Sequence, residues 1–185
     1  MIAVGIVGVQ GCGKTTAARE IASLASHRGL LTAGVIAPVV YEGATRVGYD
    51  LVDVRTGARA AWLRMGETPP TIGPFGTVAS GVSFARHALE AMLHTPIDLA
   101  IIDEVGEWEL AGGGHSWALD RLATSSVARV VLVLRESVVG RVAARWALAL
   151  RTWHPSELPA LEVALGIPTP GCADVQTVNA QHRGP

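Results

Sequence analysis

Hydrophobic positions along the chain alternate between short unbroken apolar runs and runs spaced three or four apart, a pattern that predicts strands and helices taking turns. Ile2 to Val7 is apolar and largely β-branched, as a strand buried on both faces would be. Thr16 to His27 carries Ala, Ile and Leu at helical spacing and is stopped by Gly29. Leu31 to Val40 reads as a second strand, broken by Pro38 and followed by a Glu42-Gly43 turn. Residues 46 to 54 alternate, and Thr56-Gly57 turns the chain into Ala58 to Leu63. These two runs predict an antiparallel hairpin with Asp50, Asp53 and Arg55 on its wet face. Three prolines and three glycines across residues 66–76 predict a loop.

Further on, Val78 to His94 has the spacing of an amphipathic helix, with Phe84, Ala88, Leu89 and Met92 inward and Pro96 as its stop. His87 and His94 are isolated and read as solvated or capping residues. A short apolar run, Leu99 to Ile102, precedes a helix at about Ser116 to Ala123, a strand ending at Leu134 and a helix over Ser137 to Arg151. Residues 154–166 suit one more short helix, and 173–183 contain a strand-like piece. The order predicts a single domain over residues 1–185, built as a three-layer α/β/α sandwich. Its sheet is mainly parallel, with a β-hairpin inserted at about 40 to 64.

Composition narrows the picture slightly. With 185 residues, 49% of them hydrophobic, the chain has enough material for a sizeable core. A formal charge of −1 and a pI near 6.6 give no electrostatic ground for expecting nucleic acid or an anionic membrane as partner. No apolar segment reaches the roughly 18–20 residues of a membrane span, and the N-terminal run lacks the basic flank of a signal peptide. Cys12 and Cys172 have no paired metal spacing, so a reducing, cytoplasmic setting is expected.

Candidate chemistry begins where the first strand meets the first helix. Gly8, Gly13, Lys14 and Thr15 satisfy G-x-x-x-x-G-K-[ST], and Gly11 adds a further glycine. Residues Gly8, Val9, Gln10, Gly11, Cys12, Gly13, Lys14, Thr15 and Thr16 therefore read as a phosphate-binding loop. Its glycines let successive N–H groups turn inward, and the helix that follows favours an anion at its start. Lys14 supplies a cation for the terminal phosphates of a nucleotide, and Thr15 a hydroxyl oxygen for Mg²⁺.

The second half of the site is the acidic pair Asp103 and Glu104, placed where a buried strand reaches the ligand-binding edge of the sheet. Asp103 suits a metal contact. Glu104 suits a general base toward an attacking water. Arg135 falls at the same edge and is either a sensor of the terminal phosphate or a surface arginine. Arg141 and Arg145, four apart on one helix face, are either a phosphate clamp or a solvated face.

These motifs together resemble the small nucleoside-triphosphatases known as cancer-related or thermophilic NTPases. Glu42, Gly43, Arg46, Gly48 and Tyr49 match that family's E-G-x-x-R-x-G-aromatic hairpin. Ile102, Asp103, Glu104, Val105, Gly106, Glu109 and Leu110 match its I-D-E-[IV]-G-x-x-E-[LM] segment, and the likeness runs from about residue 4 to 135. The chain departs from the family at Gln10, where proline is common, and at Glu107 and Trp108, where lysine and methionine are. The resemblance implies slow, Mg²⁺-dependent hydrolysis of ATP, GTP and other NTPs to NDP and phosphate. An acidic pair of this kind also resembles the RecA/AAA branch of phosphate-loop NTPases, whose two motif strands are separated by an extra strand. Thr177, Val178, Asn179 and Arg183 echo the family's C-terminal residues imperfectly. Of the five tryptophans, Trp62, Trp117, Trp146 and Trp153 read as core or rim residues rather than base-stacking ones. A nucleotide or small-molecule kinase and a nucleotide-gated switch for a protein partner remain alternatives, whereas the absence of N-K-x-D disfavours a translation-type GTPase.

Overall fold

Alternation along the central strands sorts their side chains onto two faces, and helices cover both. The computed structural model describes residues 1–168. The central strands are β1 (Ile2–Val7), β2 (Thr32–Ile36), β8 (Leu99–Val105), β9 (Arg129–Leu134) and β10 (Leu150–Trp153). Between β2 and β8 the chain forms β3 (Val39–Glu42), β4 (Thr45–Asp53), β5 (Arg59–Met65), β6 (Pro70–Ile72) and β7 (Phe75–Thr77). The helices are α1 (Lys14–His27), α2 (Ala79–His94), α3 (Glu107–Leu110), α4 (Ser116–Ala123), α5 (Val139–Arg145) and α6 (Leu158–Ala164).

On β1 and β9, Val4, Ile6, Val131 and Val133 pack toward α1 and α6, while Ala3, Val7, Val130, Leu132 and Leu134 face the core shared with α2, α4 and α5. Strands polar on neither face must be covered twice, which gives the three layers. Among the described residues the sheet has ten strands in the order β10-β1-β9-β8-β2-β4-β5-β7-β6, with β3 paired to β4. Strands β10, β1, β9, β8 and β2 run parallel; β4 turns antiparallel against β2 and begins the insertion. Strand β9 lies between β1, which leads into the glycine loop, and β8, which carries the acidic pair. This is the extra strand that the resemblance to the RecA/AAA branch implies.

Strands β2 and β8 approach so closely that Gly34 has no room for a side chain. Its φ is +125°, and a Cβ there would stand 1.9 Å from the Ile101 carbonyl oxygen. The alignment of β2 beside β8 thus depends on a residue without a Cβ.

Several local expectations change. Pro38 separates β2 from β3 outright. The glycine- and proline-rich residues after 65 are a short hairpin, β6 and β7, whose Phe75 is buried against the core. Asp50 and Asp53 are not on a wet face. Asp50 is 9% exposed and held by Arg59 and Arg64, and Asp53 is 7% exposed and accepts from Arg55 N and the Thr56 hydroxyl. The helix expected over 137–151 ends at Arg145; Ala147 takes a left-handed φ of 49° and the chain enters β10. Cys172, Thr177, Val178, Asn179 and Arg183 lie outside the described residues. No helix among the described residues is long and apolar enough to cross a membrane.

Candidate active site

The glycine loop takes the conformation its residues require. Gly8, Gly11 and Gly13 have φ of 148°, 81° and 94°, and α1 starts at Lys14 with no side-chain cap, so the first N–H groups of the helix face the loop's hollow. Lys14 folds back over the loop, its Nζ donating to Gly8 O at 2.9 Å and Val9 O at 2.8 Å. The ammonium is thereby held at the mouth of the loop. Val9, Gln10, Gly11 and Thr16 are exposed, and Cys12, Gly13, Lys14 and Thr15 half-buried.

Asp103 is fully buried at the end of β8. One carboxylate oxygen accepts from Ala37 N at 2.9 Å, just past β2, and the other from Glu104 N at 2.8 Å. Burial raises its pKa, while the two backbone N–H groups, the Thr15 side chain and the Lys14 charge favour the ionised form. Strand, loop and helix therefore bring Thr15, Lys14 and Asp103 together as the sequence predicts.

Glu104 reaches the site by a device the sequence does not display. Simple alternation would place it on the opposite face from Asp103, among the core residues Ala100 and Ile102. Instead its φ is +58°, and the β8–β9 register slips between Ile102 and Val105, so Val105 rejoins the core one residue out of step. Such a bulge re-aims a side chain, and a non-glycine left-handed residue costs about 1–2 kcal/mol. Burial, then the neighbouring Asp103 charge, pushes Glu104 up to about 7, with Arg135 and Lys14 opposing.

A cavity of about 850 Å³ opens over these groups. Its lining includes Lys14, Thr15 and Glu104, Arg46 and Phe75 of the insertion, and Trp108. Arg135 also lines it. Arg141 and Arg145 do not: Arg141 donates twice to Glu107, at 2.6 and 2.8 Å, and Arg145 lies 5.0 Å from the Trp146 ring. That ion pair ties α3 to α5 and answers the unusual acidic residue at position 107, whose charge is matched on the spot. Trp62 and Trp146 are buried, Trp117 and Trp153 partly so, as read from the sequence.

The wall behind α3 is organised by Glu109. Its carboxylate is fully buried and accepts from Gly106 N at 2.9 Å and His115 N at 3.2 Å. The His115 ring stacks on Trp62 at 5.1 Å between centroids, with its Nε2 buried and unpartnered among the described residues. Burial lowers the His115 pKa from 6.5 to about 4. The native state keeps it neutral while the unfolded chain gains a proton below pH 6.5, so its contribution to stability is full above that pH and is lost toward pH 4. We expect His115→Phe, which keeps the stack, to be more stable than wild type. The margin should widen by about 2 kcal/mol from pH 8 to pH 5, as read by urea denaturation at both values.

A phosphate loop, a paired threonine and aspartate, and a glutamate one residue on, set on a parallel sheet with an intervening strand, define a phosphate-loop NTPase. The comparisons agree: the NTPase_1 profile, which describes NTPases, matches residues 3–152, and the chain belongs to that family of nucleoside-triphosphatases. It is 28% identical over 132 residues to nucleoside-triphosphatase THEP1 of Methanopyrus kandleri, covering 71% of this chain and 73% of that one. To THEP1 of Methanothermobacter thermautotrophicus it is 32% identical over 136 residues, covering 72% and 76%. The solution structure of a human cancer-related nucleoside triphosphatase shares the fold, with a TM-score of 0.67 at 21% identity over 89% of this chain and 97% of that one.

Proposed function

We propose that the chain hydrolyses nucleoside triphosphates to diphosphate and phosphate with Mg²⁺, ATP and GTP among them, and that Lys14, Thr15, Asp103 and Glu104 divide the work. The observation that carries this reading is the bulge in β8, which turns Glu104 toward the cavity shared with Lys14 while Asp103 stays against Thr15.

The residues suit a magnesium ion. The Thr15 hydroxyl and the Asp103 carboxylate are hard oxygen donors. No cluster of three or more His, Cys, Asp or Glu occurs among the described residues, which favours a cation completed by phosphate oxygens and water over one caged by protein. Thr15 and Asp103 would hold such an ion, which would supply positive charge against the negative charge that develops in phosphoryl transfer.

The chain's own groups do the rest. Loop N–H groups and the start of α1 hold the β-phosphate, and Lys14 leaves its two carbonyl partners for the terminal phosphates. Glu104 takes a proton from water as the water oxygen attacks the γ-phosphorus and the bond to the bridging oxygen breaks, releasing NDP and phosphate. The kinase alternative would use Arg141 and Arg145 on an acceptor, and Arg141 is instead paired with Glu107.

Incubation of the purified protein with each NTP in turn, with Mg²⁺ or with EDTA and without acceptor, tests this. NDP and phosphate are expected from several NTPs with Mg²⁺ alone. Turnover only after adding an acceptor would replace hydrolysis by phosphoryl transfer.

A further inference from the structure

Into the cavity that the phosphate loop lines, the insertion brings an arginine that the hydrolytic reading above leaves without a task. Arg46, on β4, is half-buried and lines the cavity that Lys14 and Glu104 line. Its guanidinium lies 5.7 Å from the Tyr49 ring centroid and 5.1 Å from that of Phe75, and its Nη1 donates to the Tyr49 hydroxyl at 3.1 Å. The two rings meet edge to face, 5.7 Å apart at 89°. No carboxylate pairs with Arg46 among the described residues, whereas the nearby Arg59 and Arg64 are both committed to Asp50. A fixed guanidinium with no anionic partner, aimed into a phosphate-binding cavity, is a site for a phosphate oxygen.

The position within the cavity selects which phosphate. Tyr49, whose hydroxyl holds Arg46, lines the same cavity as Glu104 and Arg135, so Arg46 shares its space with the group that would activate water. A base-stacking platform is the competing use of an arginine over two rings. Burial speaks against the rings themselves in that use, Tyr49 being 5% exposed and Phe75 3%, so only the outer face of the guanidinium could meet a base, and a loss of analogue binding on its removal would reveal that.

We propose that Arg46 is a catalytic arginine supplied in cis by the β-hairpin insertion, contacting the γ-phosphoryl group as it transfers, with Tyr49 as the positioning residue that holds its guanidinium. The inference rests on the hydrolytic reading. It gives the insertion a purpose: it brings a second cation into the cavity that Lys14 lines, so that charge developing on the γ-phosphoryl oxygens meets both. Its anchoring on two buried rings and a hydroxyl means that little side-chain freedom is lost at the moment of reaction.

The test compares wild type, Arg46→Ala, Arg46→Lys and Tyr49→Phe in steady-state ATP hydrolysis with Mg²⁺. It also measures the affinity of each for a non-hydrolysable ATP analogue and for ADP with aluminium fluoride. Arg46→Ala is expected to lower kcat by about 10²- to 10³-fold and to weaken the aluminium fluoride complex comparably, with the analogue's Kd changed less than about threefold. Arg46→Lys, which retains charge but not the forked guanidinium, should recover less than a tenth of the loss. Tyr49→Phe should lower kcat by roughly threefold to tenfold without moving the analogue's Kd. Unchanged kcat in both Arg46 variants, against an active wild type of the same thermal stability, would overturn the assignment while leaving hydrolysis standing. So would an equal loss of analogue and aluminium fluoride binding, since Arg46 would then act on the bound substrate and not on its transfer. An inactive wild type would overturn the hydrolytic reading and this one with it.

Discussion

Glu104→Gln is expected to bind nucleoside triphosphate as wild type does and to leave it intact. Glutamine matches glutamate in size but cannot take a proton from water, so kcat should fall by about 10²- to 10⁴-fold. The Kd for triphosphate should change by less than about threefold, because the phosphates are held by the loop and Lys14 rather than by Glu104. The substitution also removes a half-buried carboxylate beside the buried Asp103, and the Asp103 charge that raises the Glu104 pKa would no longer face a like neighbour. Equal or slightly higher thermal stability is therefore expected, which separates a catalytic loss from a folding one. Calorimetric binding beside phosphate release checks both halves. Turnover within threefold of wild type would remove Glu104 as the base.

Lys14→Ala is expected to lose binding and turnover together. The ammonium makes charge-assisted bonds worth about 1.5–3 kcal/mol each, so triphosphate affinity should fall at least 10-fold and more if two phosphates share it. It also closes the loop on itself through Gly8 O and Val9 O, and both carbonyls lose that donor in the variant. The deficit should be larger for triphosphate than for diphosphate, which fluorescence titration of the two nucleotides would measure. An unchanged preference between them would place Lys14 away from the terminal phosphate.

Particular residues explain how far the sequence could be followed. The glycine loop, Thr15 and Asp103 were legible because their geometry is local: a strand ends, a turn needs positive φ, a helix begins. The order of β1, β9 and β8 was legible only through resemblance, since nothing in those apolar runs encodes which neighbours which. Glu104 reads as a base from its position beside Asp103, yet the bulge that delivers it is invisible in the sequence, because it depends on pairing with β9. The burial of Asp50 escaped for the same reason, its partners Arg59 and Arg64 being supplied across the hairpin. Ala147 turned a predicted helix into a strand by taking a conformation usually left to glycine, and the pull of β1 on β10 decides that locally costly choice. Arg46 belonged to a recognised motif, but its seat on Tyr49 and Phe75 required β7, a strand within a stretch that reads as loop.

The central claim, that water is the acceptor of the γ-phosphoryl group in this cavity, is tested most directly by one turnover in heavy-oxygen water. Enzyme in excess over ATP with Mg²⁺ is quenched and its products are weighed by mass spectrometry. The account predicts phosphate carrying one heavy oxygen and ADP carrying none, with both absent from Glu104→Gln over the same interval. Heavy oxygen in the ADP, or ATP consumed without labelled phosphate, would contradict it.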